Sequence, residues 1–248
     1  EARLYQAGDD IRSIDWKVTA RTQKTHTKIF RQERERPVHI FVDNRQAMQF
    51  ATQCCYKSVI AAQCAALVAW KANASSDRVG GMVFSEEMHQ EFKPKMGRGS
   101  VLQLIHLLSQ PQAKPTSPIK NDKQEDVLKH ALYRLRETTK PGSLIYLISD
   151  FAGLSDQHVS MIAQLSRHND IVLIFVYDNF EKTMPPAGTY QVNYLSNNFA
   201  IQTKDKKIRN QYEQAFLAHE QRLKTLAIKH QMHFKSVSTA QKPIEEIR

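Results

Sequence analysis

Four short apolar runs alternate with amphipathic stretches, and this alternation constrains the fold of the chain more than any other feature. The runs are rich in β-branched and aromatic residues, which predicts buried strands at 38–43, 77–84, 143–149 and 170–177. Apolar residues recur at helical spacing in 56–73, which predicts a helix with a broad apolar face there. Further helices are predicted from about residue 100, at 124–138, at 155–168 and, as a long polar helix, at 205–230. The order of these elements indicates an α/β fold with a mainly parallel sheet and helices on both faces.

Other segments complete this outline. Residues 185–203 alternate in polarity around a turn signal at Ser196, which predicts a small β-hairpin inserted at about 180–203. The Pro-rich stretch 111–122 is typical of a loop, Ser100 is the predicted N-cap of its helix, and 232–238 is a possible last strand. We therefore divide the chain into a segment at 1–36, which we expect to pack on the core, and a domain at 37–248.

The charge balance bears on the choice of partner. The formal net charge is +10, which permits nucleic acid, anionic lipid or an acidic protein as partner. However, the Lys and Arg residues are scattered and interleaved with Glu, as in "RQERERP", and this favours a solvated surface over a nucleic-acid-binding one. No stretch approaches the roughly 18 apolar residues that a membrane span requires.

The cysteines indicate a reducing compartment. Cys54 and Cys55 are adjacent and cannot easily pair with each other, whereas Cys64 falls on the apolar face of a helix. The chain contains no Cys-x-x-Cys, so neither a zinc site nor a disulfide framework is predicted. We expect a cytoplasmic protein. The chain opens at Glu1 without a methionine, and we expect it to be a fragment of a longer protein.

The opening segment is dense in charged residues around a single tryptophan, in "YQAGDDIRSIDWKVTART". Its distinctive residues are Tyr5, Gly8, Asp9, Asp10, Arg12, Asp15, Trp16, Lys17 and Arg21. One interpretation is a docking surface for a partner. We favour a structural interpretation, in which the aspartates cap turns and pair with Arg12, Lys17 and Arg21 while Trp16 packs beneath.

This segment and the strands together resemble domain-of-unknown-function family 58. The matching stretches are Tyr5–Thr22, Phe30–Asp43, "DRVGGMVF", Ile148–Phe151 and Arg167–Tyr190. Members of that family are bacterial proteins that accompany MoxR-type AAA+ ATPases and carry a von Willebrand factor A-like domain. The resemblance implies a Rossmann-type α/β sandwich. It also implies partnership with a MoxR-type ATPase and with other von Willebrand A-containing proteins.

Domains of the von Willebrand A type bind partners through a metal ion at the C-terminal edge of the sheet. The resemblance implies a pattern Asp-x-Ser-x-Ser, a Thr from a second loop and an Asp from a third. This chain keeps the two aspartates as Asp43 and Asp150, but Arg45 and Ala47 replace the serines. No Thr stands near Glu125–Asp126, where the second loop is expected.

We therefore predict a degenerate metal site. Two aspartates alone would hold Mg²⁺ weakly, and the permanent charge of Arg45 opposes a dication. Asp43 and Asp150 are the only metal ligands that the sequence suggests, and we expect no cofactor. The two carboxylates should lie close together and need compensation from the protein itself, with Arg45, Lys57 or a backbone amide as the candidates.

Enzyme motifs are absent from the sequence. There is no Gly-x-Ser-x-Gly elbow, no Walker A motif and no His-Glu-x-x-His. We predict a non-enzymatic protein-interaction module that works with a MoxR-type ATPase in the assembly or activation of other protein complexes. The alternative is a basic module that binds nucleic acid or a membrane surface, with nucleic acid the less favoured partner.

Overall fold

The computed structural model describes residues 2–28, 35–52, 54–86, 89–110, 127–183, 186, 188–194, 197–203 and 205–246. The chain divides into two compact units, residues 1–35 and 36–248. The predicted loop at 111–122, the turn residue Ser196 and the expected second loop at Glu125–Asp126 lie outside the described residues. Within the described ranges, no helix combines the length and the apolar character needed to cross a membrane.

The smaller unit is built from two short strands and one short helix. Strand β1 (Ala2–Leu4) pairs antiparallel with β2 (His26–Lys28), and helix α1 (Trp16–Thr22) lies between them in the sequence. Asp15 caps α1 by accepting hydrogen bonds from the backbone N–H groups of Lys17 and Val18 at 3.1 and 3.2 Å. The cap satisfies N–H groups that have no partner within the helix.

The other acidic residues of this unit also hold turns. Asp10 accepts from the Arg12 N–H at 2.9 Å and caps a 3₁₀ turn at Ile11–Ser13. Asp9 accepts from the Gln6 N–H at 2.9 Å and pairs with Arg3. Tyr5 donates from its hydroxyl to the Asp9 carbonyl at 3.4 Å, and Gly8 adopts a φ of +109°, which favours glycine.

Two expectations for this unit are wrong. Trp16 is 68% exposed, because it occupies the first turn of a seven-residue helix in which no residue is buried. Among residues 2–28, no ion pair joins Asp9, Asp10 or Asp15 to Arg12, Lys17 or Arg21, since the carboxylates face backbone N–H groups and Arg3 instead. The packing of residues 1–36 on the core stays a prediction.

The larger unit contains one large sheet and one hairpin. Its strands are β3 (Pro37–Asp43), β4 (Arg78–Phe84), β5 (His89–Lys95), β6 (Leu144–Ser149), β7 (Asp170–Tyr177), β8 (Thr189–Tyr194), β9 (Asn197–Gln202) and β10 (His233–Ser238). The large sheet has the order β10-β7-β6-β3-β4-β5, in which only the β4–β5 pair is antiparallel. Strands β8 and β9 form the predicted hairpin.

Helices cover both faces of the large sheet. They are α2 (Lys57–Ala74), α3 (Arg98–Ser109), α4 (Val127–Thr138), α5 (Asp156–Ser166), α6 (Asn179–Lys182), α7 (Lys206–Lys229) and α8 (Pro243–Glu246). Phe41 and Leu147 pack in one buried cluster with α4, α5 and α7. Val42 and Ile148, their neighbours in the chain, pack in a second cluster with α2 and α3. Successive strand residues point to opposite faces, so the predicted two-sided α/β architecture is confirmed.

The four predicted core strands and the last strand are confirmed, but β5 was not expected. It is a polar edge strand that contains Pro94, and such a sequence gives no apolar run to detect. Ser100 does not cap α3 as predicted, because the helix begins at Arg98 and Gly97 holds the N-cap position. The Ser100 hydroxyl instead donates to the Lys95 carbonyl at 2.9 Å.

Candidate functional site

Three buried carboxylates stand at the C-terminal ends of three neighbouring strands. Asp43 ends β3, Asp150 directly follows β6, and Asp178 directly follows β7. These strands run parallel, so their C-terminal ends lie side by side at one end of the sheet, which we call the apex. The residues are only 0%, 5% and 0% exposed, respectively. Burying three acidic groups is costly unless each is paired or hydrogen-bonded, so their partners define the chemistry of the apex.

Asp43 is bound by Arg45, which stands two residues further along the chain. The Arg45 Nε donates to Asp43 Oδ1 at 3.0 Å, and its Nη2 donates to Oδ2 at 2.7 Å. The backbone N–H of Arg45 adds a bond to Oδ1 at 3.0 Å, and the Ser149 hydroxyl donates to Oδ2 at 2.6 Å. Both oxygens of the Asp43 carboxylate are therefore occupied by donors of the protein.

Asp150 is bound by Lys57, the first residue of α2. The Lys57 ammonium donates to Asp150 Oδ2 and to Glu181 Oε1, both at 2.7 Å, and the lysine is 1% exposed. The second oxygen of Asp150 accepts from the Ala152 N–H at 2.9 Å. One buried cation thus holds two carboxylates that come from different parts of the chain.

Asp178 relies on hydroxyl and amide donors. It accepts from the N–H and the hydroxyl of Thr52, from the Thr239 hydroxyl at 2.7 Å and from the Phe180 N–H at 2.9 Å. Burial alone would raise the pKa of Asp178, but these hydrogen bonds to the charged form outweigh it and lower the pKa. Asp178 also caps α6 together with Glu181, whose Oε2 accepts from the Asp178 N–H at 2.9 Å.

The two cations of the apex are held in their charged forms. Burial by itself would lower the pKa of Arg45, but the hydrogen bonds and the charge of Asp43 raise it. Burial likewise opposes the charge of Lys57, and the charges of Asp150 and Glu181 outweigh it, so the pKa of Lys57 is raised. Both Arg45 and Lys57 are therefore charged at neutral pH.

The outer side of the apex is formed by a 3₁₀ turn at Gln46–Met48. Ala47 lies on this turn, two residues after Arg45, and is half-buried. Glu86, which follows β4, accepts from the Gln46 N–H at 2.9 and 3.1 Å. Sequence reasoning missed Asp178, Glu181 and Glu86, although the position of Asp178 directly after a predicted strand was a usable signal.

The described residues do not fit a magnesium site. The oxygens of Asp43 and one oxygen of Asp150 point at Arg45 and Lys57, so a dication would have to displace a buried cation. Within the ranges that the structure describes, no group of three or more His, Cys, Asp or Glu side chains is arranged to hold a metal ion. The arrangement can neutralise buried carboxylates without any bound ion.

Comparison with known proteins identifies the family. The sequence profile described as "Protein of unknown function DUF58" matches residues 1–222. The chain belongs to the DUF58 family. Its relatives include the Uncharacterized protein Rv1480 of Mycobacterium tuberculosis, which is 27% identical over 221 residues. That alignment covers 88% of this chain and 67% of the relative.

Solved structures with similarity to this DUF58 chain include two Bacteroides proteins. BatB from Bacteroides thetaiotaomicron has a TM-score of 0.44 and 16% identity, covering 77% of this chain and 98% of BatB. An aerotolerance-related membrane protein from Bacteroides fragilis has a TM-score of 0.44 and 15% identity, with coverages of 76% and 98%. The SpRpn10 VWA domain has a TM-score of 0.39 and 11% identity, with coverages of 85% and 92%.

Proposed function

We propose that this DUF58 chain is a non-enzymatic, cytoplasmic protein-interaction module whose docking surface is the apex of the sheet. The observation that carries the proposal is that Asp43 and Asp150 are each neutralised by a basic residue of the chain itself. In this proposal, Arg45 and Lys57 supply the positive charge that a metal ion would otherwise supply, and partner binding does not depend on a dication.

The state of the acidic groups supports a binding role over a catalytic one. A general acid or base must exchange a proton with a substrate, so its carboxylate must be reachable and its ionisation adjustable. The Asp43 and Asp178 carboxylates are fully buried, and each accepts several hydrogen bonds from groups of the fold. Groups held in this way stabilise a surface and leave little freedom for proton transfer.

The proposed partner is a MoxR-type AAA+ ATPase, with which the module would act in assembling or activating other protein complexes. This part of the proposal rests on membership of the DUF58 family and on the resemblance described above. Other von Willebrand A-containing proteins are proposed as further partners. The apex suits such a role because its backbone is fixed by ion pairs and would present one rigid surface to a partner.

A pair of matched substitutions tests the docking surface without breaking an ion pair. Ala47→Arg places a bulky side chain on the apex, whereas Ala74→Arg places the same side chain on an exposed residue at the C-terminal end of α2. Helix α2 runs back from the apex, so Ala74 lies at the opposite end of the sheet, where the parallel strands begin. Binding of the ATPase to each protein is measured with ATP, with ADP and without nucleotide.

We expect Ala47→Arg to weaken nucleotide-dependent binding by roughly tenfold or more, as a clash at the centre of an interface does. Ala74→Arg should bind like the parent protein. Equal binding by the two variants would show that the apex is not the docking surface. The absence of any nucleotide-dependent binding by the parent would remove the ATPase as the partner.

The alternative, a module that binds nucleic acid or an anionic membrane, is favoured only by the net charge of +10. Binding of that kind depends on phosphate groups and falls steeply as salt concentration rises. A salt titration against a DNA duplex and against anionic vesicles therefore separates the two functions. Tight binding to either, lost between low and physiological salt, would favour the alternative.

A further inference from the structure

Two adjacent thiols lie in the loop that leads from the apex into α2. Cys54 is exposed, and Cys55 is half-buried against the apolar cluster beneath α2. The two residues are consecutive in the chain, so one peptide unit joins them. The described residues between the 3₁₀ turn at Gln46–Met48 and Lys57 belong to no helix or strand. The backbone at these thiols is therefore not constrained by a hydrogen-bonded ladder.

The same loop is tied to the apex on both sides of the thiols. Before them, Thr52 donates from its N–H and its hydroxyl to the carboxylate of Asp178. After them, the Lys57 N–H donates to the Phe50 carbonyl at 3.0 Å and closes the loop on itself. A change in the backbone at Cys54 and Cys55 must therefore be absorbed between two fixed points that both belong to the apex.

A disulfide between adjacent cysteines is possible but strained. Consecutive Cα atoms stand about 3.8 Å apart across a trans peptide bond, which is shorter than the roughly 4.4–6.8 Å spanned by ordinary disulfides. The eight-membered ring that results requires a distorted, irregular backbone. Strain makes a disulfide easier to reduce, and such bonds belong to the labile, regulatory class.

We propose that Cys54 and Cys55 form a reversible dithiol–disulfide site whose oxidation releases Thr52 from Asp178. The oxidant is a small hydroperoxide such as hydrogen peroxide. The Cys54 sulfur attacks one peroxide oxygen and becomes a sulfenic acid, and the first water leaves. The Cys55 sulfur then attacks the Cys54 sulfur, the S–S bond forms and the second water leaves. Two thiols lose two electrons and two protons, and one peroxide gains them.

The two thiols have different parts in this reaction. Burial raises the pKa of Cys55, and the neighbouring Cys54 thiol acts in the same direction. A thiol with a raised pKa is a poor first nucleophile, so the exposed Cys54 reacts first and Cys55 resolves the sulfenic acid. Any effect on partner binding rests on the proposed docking role, whereas the chemistry at the two sulfurs does not.

Mass spectrometry tests the chemistry without any partner. The parent protein, Cys54→Ser, Cys55→Ser and Cys64→Ser are each treated with hydrogen peroxide and then with dithiothreitol. Cys64 is the matched control, since it is fully buried in α2 and burial raises its pKa to about 12. We expect the parent and Cys64→Ser to lose two hydrogen atoms reversibly in one peptide that holds both cysteines.

Neither Cys54→Ser nor Cys55→Ser should lose those hydrogen atoms. A disulfide-linked dimer, or sulfinic acid at Cys54 in place of the intramolecular bond, would overturn the proposal. Phenylarsine oxide gives a second measure, because it condenses with two close thiols and releases one water. We expect one equivalent to bind the parent, and either single substitution to weaken binding by roughly 100-fold through loss of the chelate.

Hydrogen exchange tests the coupling to the apex. In the reduced protein the Thr52 N–H donates to Asp178 Oδ2 at 3.2 Å, so its exchange is slowed. We expect exchange at Thr52 to rise by roughly tenfold or more in the oxidised protein, as for the loss of one hydrogen bond of about 1.5 kcal/mol. Unchanged exchange at Thr52 in a fully oxidised sample would overturn the release from Asp178.

Discussion

The guanidinium of Arg45 holds the buried carboxylate of Asp43 with two nitrogen atoms, Nε at 3.0 Å from Oδ1 and Nη2 at 2.7 Å from Oδ2. The same Nη2 also donates to the Ala152 carbonyl at 3.3 Å, which links β3 to the loop after β6. Paired donation of this kind fixes both the position and the orientation of the guanidinium. The cation is thus part of the fold of the apex.

The first prediction concerns metal binding. Because Arg45 and Lys57 already neutralise Asp43 and Asp150, we expect no saturable binding of Mg²⁺ or Mn²⁺ at millimolar concentration. In the double variant Arg45→Ser with Ala47→Ser, one charge is removed and two hydroxyl ligands are supplied, so binding of Mg²⁺ should appear. Isothermal titration calorimetry on the chain alone measures both.

The variant Asp43→Ala is the control for this titration. Saturable heat from the parent that disappears in Asp43→Ala would contradict the prediction, because it would make Asp43 a metal ligand despite Arg45. Saturable heat that persists in Asp43→Ala would come from a site elsewhere in the chain, and it would not make Asp43 a metal ligand.

The second prediction concerns the buried lysine. Lys57→Met removes the cation and leaves Asp150 buried without a charged partner, which typically costs about 3–5 kcal/mol of unfolding free energy. The double variant Lys57→Met with Asp150→Asn removes both charges and should recover much of that loss. Urea denaturation of the parent, both single variants and the double variant completes the cycle. Additive losses would mean that the two residues do not interact.

The position of the apex was predictable from the sequence, but most of its contacts were not. Asp43 and Asp150 end apolar runs, and parallel strands bring such ends to one edge. Arg45 and Lys57 were both candidates for neutralising the two aspartates, and the structure pairs Arg45 with Asp43 and Lys57 with Asp150. Arg45 stands only two residues from Asp43 in the sequence. Lys57 and Asp150 lie 93 positions apart, so only the packing of α2 against the sheet decides which carboxylate Lys57 binds.

The errors have physical causes as well. Apolar periodicity detects buried strands, and β5 is a half-exposed edge strand of polar sequence, so it gave no such signal. Trp16 was expected to be buried because large aromatic side chains usually are. Its place at the start of α1 is set by the Asp15 cap, which depends on local backbone geometry and says nothing of burial.

The third prediction concerns the paired glycines of β4. A Cβ at Gly80 would stand 2.7 Å from the backbone nitrogen of Pro94, and a Cβ at Gly81 would stand 2.7 Å from Leu104 Cδ1. We expect Gly80→Ala and Gly81→Ala each to lower the unfolding free energy by about 1–3 kcal/mol through overpacking. Gly99→Ala in α3 meets no atom within 4 Å and should be neutral or stabilising by up to about 1 kcal/mol.

Thermal and urea unfolding of the three glycine variants provide the measurement. Equal stability of Gly81→Ala and Gly99→Ala would show that Leu104 and its neighbours move aside at no cost, which would contradict close packing of α3 on β4.

The fourth prediction concerns the opening segment. Trp16 is 68% exposed, so Trp16→Ala should change the unfolding free energy by less than about 1 kcal/mol. Asp15→Ala removes the cap of α1 and should destabilise that helix by about 1 kcal/mol. The Thr19 N–H donates to the Asp15 backbone carbonyl at 2.9 Å in the first turn, so its hydrogen exchange should become faster in this variant. A large loss of stability in Trp16→Ala would restore the structural interpretation of this tryptophan.

The last prediction concerns the pH dependence of stability. His39 of β3 is 6% exposed, and burial lowers its pKa from 6.5 to about 4. Between these values the unfolded chain binds a proton at His39 and the folded chain does not, so stability falls as the pH falls. A shift of this size lowers the unfolding free energy by about 3 kcal/mol between neutral pH and pH 4.

His39→Gln should remove this part of the loss of stability at acid pH, while His89→Gln, at an exposed residue, should keep it. Urea denaturation between pH 7 and pH 4 gives the comparison. Parallel curves for the parent and His39→Gln would mean that His39 is charged in the folded protein.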